Sequence, residues 1–271
     1  WWWSRSFPAL RPEKFRSMRC WLALSAAALL LCGCALAKLV RGTPDAPPPR
    51  PALDPDLVQR GAVLFSDARL SGDRSRACST CHPGGGADHE VYAGGEPVPA
   101  GTPSGRRTLP LRGLWQTAPY LWDGSAPTVS DAVERMLAVE MRHGTLAGRE
   151  REALVAYLLS LQPFDRGRVQ PDGAPTEPTT LAARRGFGVF EQAKCVRCHP
   201  GPAFATSGLE DVGTGGEFAV PTLRGVSAGG PYGHDGRWPD LESAVRAIAT
   251  AKKVELTPDE MSQLLAYLKL L

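Results

Sequence analysis

The stretch Cys78-Ser-Thr-Cys81-His82 decides how this chain is organised, and its pattern returns as Cys195-Val-Arg-Cys198-His199. Cys-x-x-Cys-His is the attachment signature of c-type haem. The two thiols form thioethers to one haem, and the adjacent imidazole reaches the iron from the proximal side. The pattern therefore predicts two covalent haems, with His82 and His199 as iron ligands.

A Cys-x-x-Cys pair has two other interpretations, a zinc knuckle and a thioredoxin-like redox pair. A tetrahedral zinc site needs four ligands, and no second Cys/His pair accompanies either motif. A thioredoxin-like pair does not require the histidine and would not be expected twice. Covalent haem is therefore the favoured interpretation.

The sequence around the two motifs is also repeated, which indicates an internal duplication. Arg60-Gly-Ala-Val-Leu-Phe65 precedes the first motif, and Arg185-Gly-Phe-Gly-Val-Phe190 precedes the second. Ala118-Pro-Tyr-Leu-Trp-Asp-Gly124 corresponds in the same way to Gly230-Pro-Tyr-Gly-His-Asp-Gly236. Each copy has an ordinary size for one domain. The predicted boundaries are an N-terminal domain at 56–163, a linker at 164–180 and a C-terminal domain at 181–271.

Secondary structure is predicted to be helix and loop. Apolar residues follow helical spacing at 130–142, 148–161 and 257–270. The third stretch opens with a capping box, Thr257-Pro-Asp-Glu260. Residues 83–107 are rich in Gly and Pro and predict a loop, and no strand pair is convincing. The fold prediction is all-α: two tandem cytochrome c-like domains, each folded around one covalent haem c.

The N-terminal part of the chain predicts export. Residues 18–33 carry an apolar run that is too short to span a bilayer and is typical of a signal peptide. Leu31-Cys-Gly-Cys34 resembles a bacterial lipobox, which makes Cys34 the predicted lipidation site; a plain cleaved signal is the alternative. Residues 1–17 resemble upstream translation, and residues 34–55 form a proline-rich linker. We expect a periplasmic protein held on a membrane surface by its lipid.

The cysteine count and the net charge bear on disulfides and on partners. Four of the seven cysteines lie in the haem motifs and the other three precede residue 35, so we expect no disulfide in the mature protein. The formal net charge of +3 is small and by itself decides nothing about nucleic acid. We expect no nucleic-acid partner.

The repeated elements resemble the bacterial di-haem cytochrome c peroxidase family, which includes the MauG-like enzymes. The resemblance covers residues 55–271. It is carried by Asp67-Ala-Arg-Leu-Ser-Gly72, Tyr120-Leu-Trp-Asp-Gly124, Pro221-Thr-Leu-Arg-Gly225 and Tyr232-Gly-His-Asp-Gly236. It implies reduction of hydrogen peroxide to two waters, with two electrons from a small cytochrome c or cupredoxin.

In that family the N-terminal haem reacts with peroxide, and the C-terminal haem accepts electrons. A MauG-like oxidase that uses high-valent haem is one alternative activity, and a di-haem electron carrier is another. A homodimer is possible.

The resemblance also implies residue roles. Trp122 matches the family tryptophan between the haems, which passes electrons; inter-domain packing is the alternative. Glu140 matches the glutamate that acts as acid and base in peroxide cleavage, or is a solvent-facing helix residue. Arg112 and Arg224 match residues that hold haem propionates through charge-assisted hydrogen bonds, or are ordinary surface charges.

Two sixth-ligand positions depart from the family pattern. Ile248 stands fourteen residues after His234, where the family's electron-storing haem takes a Met or, in MauG-like members, a Tyr. Met136 stands at the equivalent place after Trp122. It is either a ligand of the first haem or a core residue, because Met fills gaps readily.

The loop after the first motif departs from the pattern as well. Val98 replaces the distal histidine of classical members, which leaves His89 and His143 as other candidate ligands. The asparagine of the family's inter-domain calcium site is replaced too, since Arg107 is followed by Thr108. Calcium is therefore doubtful.

Overall fold

A computed structural model describes residues 48–271. The predicted signal peptide, residues 1–17, Cys34 and most of the proline-rich linker lie outside the described residues. Among the residues that are described, no helix has the length and apolar character needed to cross a membrane.

The described chain is rich in helix, and its strands are short. The helices are α1 (Pro55–Phe65), α2 (Cys78–Cys81), α3 (Val129–Val139), α4 (Gly148–Ser160), α5 (Leu181–Gln192), α6 (Leu241–Ala251) and α7 (Pro258–Leu268). The strands are β1 (Val91–Ala93), β2 (Glu96–Pro97), β3 (Arg106–Arg107), β4 (Leu209–Glu210) and β5 (Phe218–Ala219). Residues 55–163 are called the first half below, and residues 164–271 the second half; both belong to one compact unit, Pro47–Leu271.

The first half is organised by the crossing of α1 and α4. Gly61 on α1 sits directly against the carbonyl of Ala153 on α4, where a Cβ would not fit. This close approach brings Phe65 beside Leu154, and Leu137 of α3 completes the same core. A glycine at the crossing therefore allows the two backbones to touch.

The second half repeats this arrangement with α5 and α7. Gly186 on α5 meets the carbonyl of Gln263 on α7, again with no room for a Cβ. Phe190 and Phe204 pack with Tyr267, which is fully buried, in the core of this half. Arg60-Gly61 and Arg185-Gly186 are thus equivalent in packing as well as in sequence.

The three helices predicted from spacing are all present, with slightly different ends. The structure has Val129–Val139, Gly148–Ser160 and Pro258–Leu268. The capping box predicted for α7 is formed: the Thr257 hydroxyl accepts from the Glu260 N–H at 3.3 Å, and the Glu260 carboxylate accepts from the Thr257 N–H at 2.8 Å.

The all-α prediction is wrong in one respect, because the described residues include two small antiparallel sheets. Strands β2, β1 and β3 form one in that order, with Tyr92 opposite Pro97 and Val91 opposite Arg107; β4 and β5 form the other. Strands of two or three residues are too short to show an alternating pattern. The three strands of the first sheet lie within residues 83–107, which the Gly- and Pro-rich sequence predicted as a loop.

Candidate functional site

The first Cys-x-x-Cys-His motif forms a single helical turn. Cys78 and Cys81 bound α2, and the His82 N–H donates to the Cys78 carbonyl at 2.9 Å. The Thr80 hydroxyl accepts from the Ala77 N–H at 3.0 Å and closes the start of the turn. Both cysteines are half-buried, and burial raises the pKa of the Cys78 thiol to about 11. The turn thus presents two thiols and an imidazole together.

The His82 ring is held in one orientation by the chain. Its Nδ1 lies 3.2 Å from the Gly86 carbonyl oxygen, so the Nδ1–H donates and Nε2 is left as the metal-binding atom. Burial lowers the pKa of His82, which favours the neutral imidazole that iron requires.

The second motif reaches the same chemistry by a different turn. Cys195–Arg197 is a 3-10 turn that follows Lys194, a residue with a positive φ of 61°. The His199 Nδ1 lies 2.9 Å from the Phe204 carbonyl, and burial lowers the pKa of this ring as well. In both motifs a backbone carbonyl orients the ring and two thiols share its turn. The residues present therefore fit covalent haem.

Trp122 lies where the two halves meet. Its Nε1–H donates to the Arg107 carbonyl at 2.7 Å, and its own carbonyl accepts from the Ala219 N–H of the second half at 2.8 Å. Its ring is edge-on to His234, with centroids 6.4 Å apart, and His234 stacks on Phe218 at 3.7 Å. An aromatic cluster therefore crosses the junction, an arrangement that suits both packing and electron transfer.

Glu140 lies at the C-terminal end of α3 and is partly exposed. Its Oε2 accepts a hydrogen bond from the Gly95 N–H, at the tip of the β1–β2 hairpin. The Gly95 carbonyl in turn accepts from Arg76, which lies just before the first motif. The predicted acid/base residue is thus tied to the loop that follows the first motif, and its catalytic role remains a prediction.

The two arginines predicted to hold propionates occupy matching places. Arg112 donates to the Gly84 carbonyl at 2.8 Å, in the turn after the first motif. Arg224 donates to the Pro202 carbonyl at 2.9 Å, in the turn after the second, and pairs with Asp165 at 3.3 Å. Each arginine thus donates to the turn that follows its motif, and the propionate-binding role of both stays a prediction.

The candidate sixth ligands differ in how far they are exposed to solvent. Met136 on α3 is half-buried, beside the buried stripe of Val133 and Leu137, and Ile248 on α6 is half-buried too. His89 and His143, which sequence analysis offered as alternatives, are exposed, and Val98 is half-buried.

Three groups near the sites were given no role by the sequence-based prediction. His234 served there only as a motif landmark, yet it is 4% exposed and its Nδ1 has no hydrogen-bond partner among the described residues. Asp235 is fully buried and forms a two-point ion pair with Arg237. Tyr92 donates to Asp88 at 2.7 Å, close to Cys81. The equivalence of His-Asp-Gly to Trp-Asp-Gly was the available signal for His234.

A surface cavity of about 940 Å³ also lies in the second half, between α6 and α7. Trp238, Leu241, Ala247 and Leu265 line part of it, and no residue of either Cys-x-x-Cys-His motif does. The cavity is therefore separate from the two attachment motifs.

Comparison with known proteins gives a consistent result. Residues 55–165 match the family model described as di-haem cytochrome c peroxidase. The methylamine utilization protein MauG of Methylophilus methylotrophus is 26% identical, over 82% of this chain and 84% of that protein. Cytochrome c551 peroxidase of Nitrosomonas europaea is 25% identical, over 80% of each.

Solved structures show the same fold. Hydrazine synthase of Kuenenia stuttgartiensis aligns with a TM-score of 0.67 at 23% identity, over 85% of this chain and 97% of that one. A MauG-like protein associated with microbial copper homeostasis aligns with a TM-score of 0.65 at 22% identity, over 85% and 94%. At these identities the likeness shows the fold alone.

Proposed function

We propose that the chain is a member of the di-haem cytochrome c peroxidase family, whose model matches residues 55–165, and that it reduces hydrogen peroxide to water with electrons from a small periplasmic redox protein, a cytochrome c or a cupredoxin. The observation that carries the proposal is the pair of oriented imidazoles, His82 and His199, each beside two thiols, with Trp122 at the junction of the halves.

The haems supply the redox chemistry when bound, and the chain supplies attachment, orientation and proton transfer. His82 and His199 are the proximal ligands, fixed through Nδ1. Cleavage of peroxide requires a proton to leave one oxygen and reach the other, which a carboxylate within hydrogen-bond reach can accomplish. Glu140 takes this role: Gly95 holds its Oε2, and its Oε1 is left for the substrate.

The test is the variant Glu140→Gln, which keeps the side-chain shape and removes the proton carrier. Peroxide turnover should fall about 100-fold or more, with two haems per chain retained. Glu134→Gln is the matched control, because Glu134 lies on the same helix and pairs with Arg151. Turnover of Glu140→Gln equal to that of the parent would reject the role of Glu140.

A MauG-like oxidase is the second candidate, favoured by the similarity to proteins named MauG, although Ile248 is neither the Met of the peroxidases nor the Tyr of MauG-like members. It predicts a long-lived oxidised state after peroxide is added without an electron donor. The electron-carrier alternative predicts two six-coordinate haems that do not react with peroxide. Electron paramagnetic resonance of the half-reduced protein, before and after one equivalent of peroxide, separates these outcomes.

We further propose a periplasmic location with a lipid anchor through Cys34, which the lipobox supports. Cys34→Ala should move the protein from the membrane fraction to the soluble periplasmic fraction. Equal amounts of both variants in the membrane fraction would argue against the anchor. Sedimentation of the soluble form would show whether it is a homodimer.

A further inference from the structure

Arg107 is bonded to both halves of the molecule. Its N–H donates to the His234 carbonyl at 2.7 Å, and its guanidinium donates to the Gly229 carbonyl. Its own carbonyl accepts from the Trp122 indole at 2.7 Å. One residue of β3 therefore connects the junction tryptophan to two segments of the second half.

The charge of Arg107 has no acidic partner in the described chain. None of the ion pairs among residues 48–271 includes it. Its Nε is buried without a hydrogen-bond partner, and burial lowers the pKa of the guanidinium. A buried, unpaired charge is costly unless an anion compensates it. Of the groups in the proposed holoprotein, the haem carboxylates have the required chemistry, and Leu109, two residues further on, has its backbone beside His82.

The same place is poorly suited to calcium. Calcium takes six to eight oxygen ligands, and the family's asparagine is here Thr108, which is buried and offers a single hydroxyl oxygen. Within residues 48–271 no three or more His, Cys, Asp and Glu side chains converge to hold a metal ion, so calcium at this place would depend on backbone carbonyls and water. A guanidinium on the adjacent residue would also repel a dication. The replacement of the asparagine and the neighbouring charge therefore both disfavour an inter-domain calcium ion.

We propose that the guanidinium of Arg107 is the cation that links the two halves of this protein, in the place that the family gives to calcium. Because the guanidinium belongs to the chain, it cannot be removed by a chelator or lost on dilution, as a bound calcium ion can. Coupling between the halves is therefore independent of calcium concentration. The inference requires two haem-bearing halves but not peroxide turnover, so it stands or falls separately from the proposed activity.

The first experiment measures calcium directly in the di-haem protein. The protein is dialysed against a calcium chelator, its metal content is determined, and the electron paramagnetic resonance spectrum of the half-reduced form is recorded before and after calcium chloride is added. We expect no stoichiometric calcium and unchanged spectra. One bound calcium per chain, whose removal alters the spectrum, would overturn the proposal.

The second experiment removes the charge. Arg107→Gln and Arg107→Lys are compared with the control Arg151→Gln, whose parent side chain pairs with Glu134 of its own half. The readouts are the thermal unfolding profile of the holoprotein and the midpoint potentials of both haems. In Arg107→Gln we expect the halves to unfold in two separate steps and at least one potential to shift.

The charge-conserving variant Arg107→Lys shows whether the positive charge is what links the two halves. Arg107→Lys should keep a single unfolding step, because the positive charge remains, and Arg151→Gln should unfold in a single step with the parental potentials. Parental unfolding and potentials in Arg107→Gln would refute the proposal, as would a Lys variant as disrupted as the Gln variant. If Arg107→Gln does not fold, the calcium measurement on the unmodified protein and the Lys variant still decide the matter.

Discussion

The two halves share a frame and differ in the residues that the frame presents. In each, a glycine lets two helices touch, at Gly61 and at Gly186. In each, a tyrosine hydroxyl donates to a carbonyl six residues earlier, from Tyr120 to Leu114 at 2.8 Å and from Tyr232 to Val226 at 2.7 Å. Each of these repeated contacts is made to a backbone carbonyl, so together they set geometry without specifying chemistry.

The differences lie at the positions that face the proposed chemistry. Trp122 donates its indole N–H to the Arg107 carbonyl of its own half, whereas the equivalent His234 is buried and its Nδ1 has no hydrogen-bond partner among the described residues. Met136 is paired in the alignment of the halves with Ile248, which has no atom that binds iron. Duplication has thus preserved the frame while the two sites diverged. The first site is predicted to act on peroxide, and the second is predicted to receive electrons.

The largest expected effect comes from removing one attachment site at a time. Cys78→Ser with Cys81→Ser should leave one covalent haem per chain and abolish the reaction with peroxide. Cys195→Ser with Cys198→Ser should also leave one haem, but should mainly abolish turnover supported by an electron donor. Haem stoichiometry and stopped-flow absorbance measure both. Identical defects in the two double variants would show that the halves are functionally equivalent.

The next prediction tests the shared frame. Gly186→Ala forces a methyl group against the Gln263 carbonyl and should destabilise the protein by about 1–3 kcal/mol. Gly188→Ala, on the same helix with open space around it, should instead stabilise by about 0.5–1 kcal/mol. Chemical denaturation of the holoprotein measures both. Equal effects of the two substitutions would contradict the close crossing of α5 and α7.

Much of this frame could be predicted from the sequence, because it depends on local patterns. The haem motifs, the helices at 148–161 and 257–270 and the capping box at Thr257 all rest on residues a few positions apart. The strands β1 to β5 could not be predicted, since two or three residues carry no period.

The functional contacts were the least predictable. Glu140 meets Gly95 across 45 positions, and Arg107 meets Gly229 across 122. Both pairs join a side chain to a backbone group, and any residue type supplies a backbone group. The sequence therefore contains no complementary residue that would indicate such a contact. The predicted roles of Glu140 and Trp122 consequently depend on the family resemblance rather than on a pattern within the chain.

A smaller effect is expected from making the second half resemble the first. Ile248→Met supplies a thioether where the sequence has none, and it should make the second haem six-coordinate and low-spin with a higher potential. The volume change is small, so stability should change by less than about 1.5 kcal/mol. Electron paramagnetic resonance and a redox titration measure the outcome. An unchanged spectrum would indicate that another group already ligates this haem.

The smallest effect concerns a loop that only the first half has. Residues 66–77 separate α1 from the first motif, whereas α5 leads to Cys195 within three residues. Asp73 organises this loop: its carboxylate accepts from the Ser75 N–H at 3.0 Å and from the Ser71 and Ser75 hydroxyls. These hydrogen bonds lower the pKa of Asp73 from 3.8 to about 2.

A depressed carboxyl pKa stabilises the folded state fully above the unfolded-state pKa, and that contribution is lost as the pH falls through the folded-state pKa. The loss due to Asp73 should therefore occur between about pH 4 and pH 2. Asp73→Asn cannot titrate, so its stability relative to the parent should improve over this window, while at pH 7 it should be the less stable protein. Melting temperatures measured at several pH values test this. Parallel pH profiles for the two proteins would show that the loop, and with it this difference between the halves, contributes nothing to acid stability.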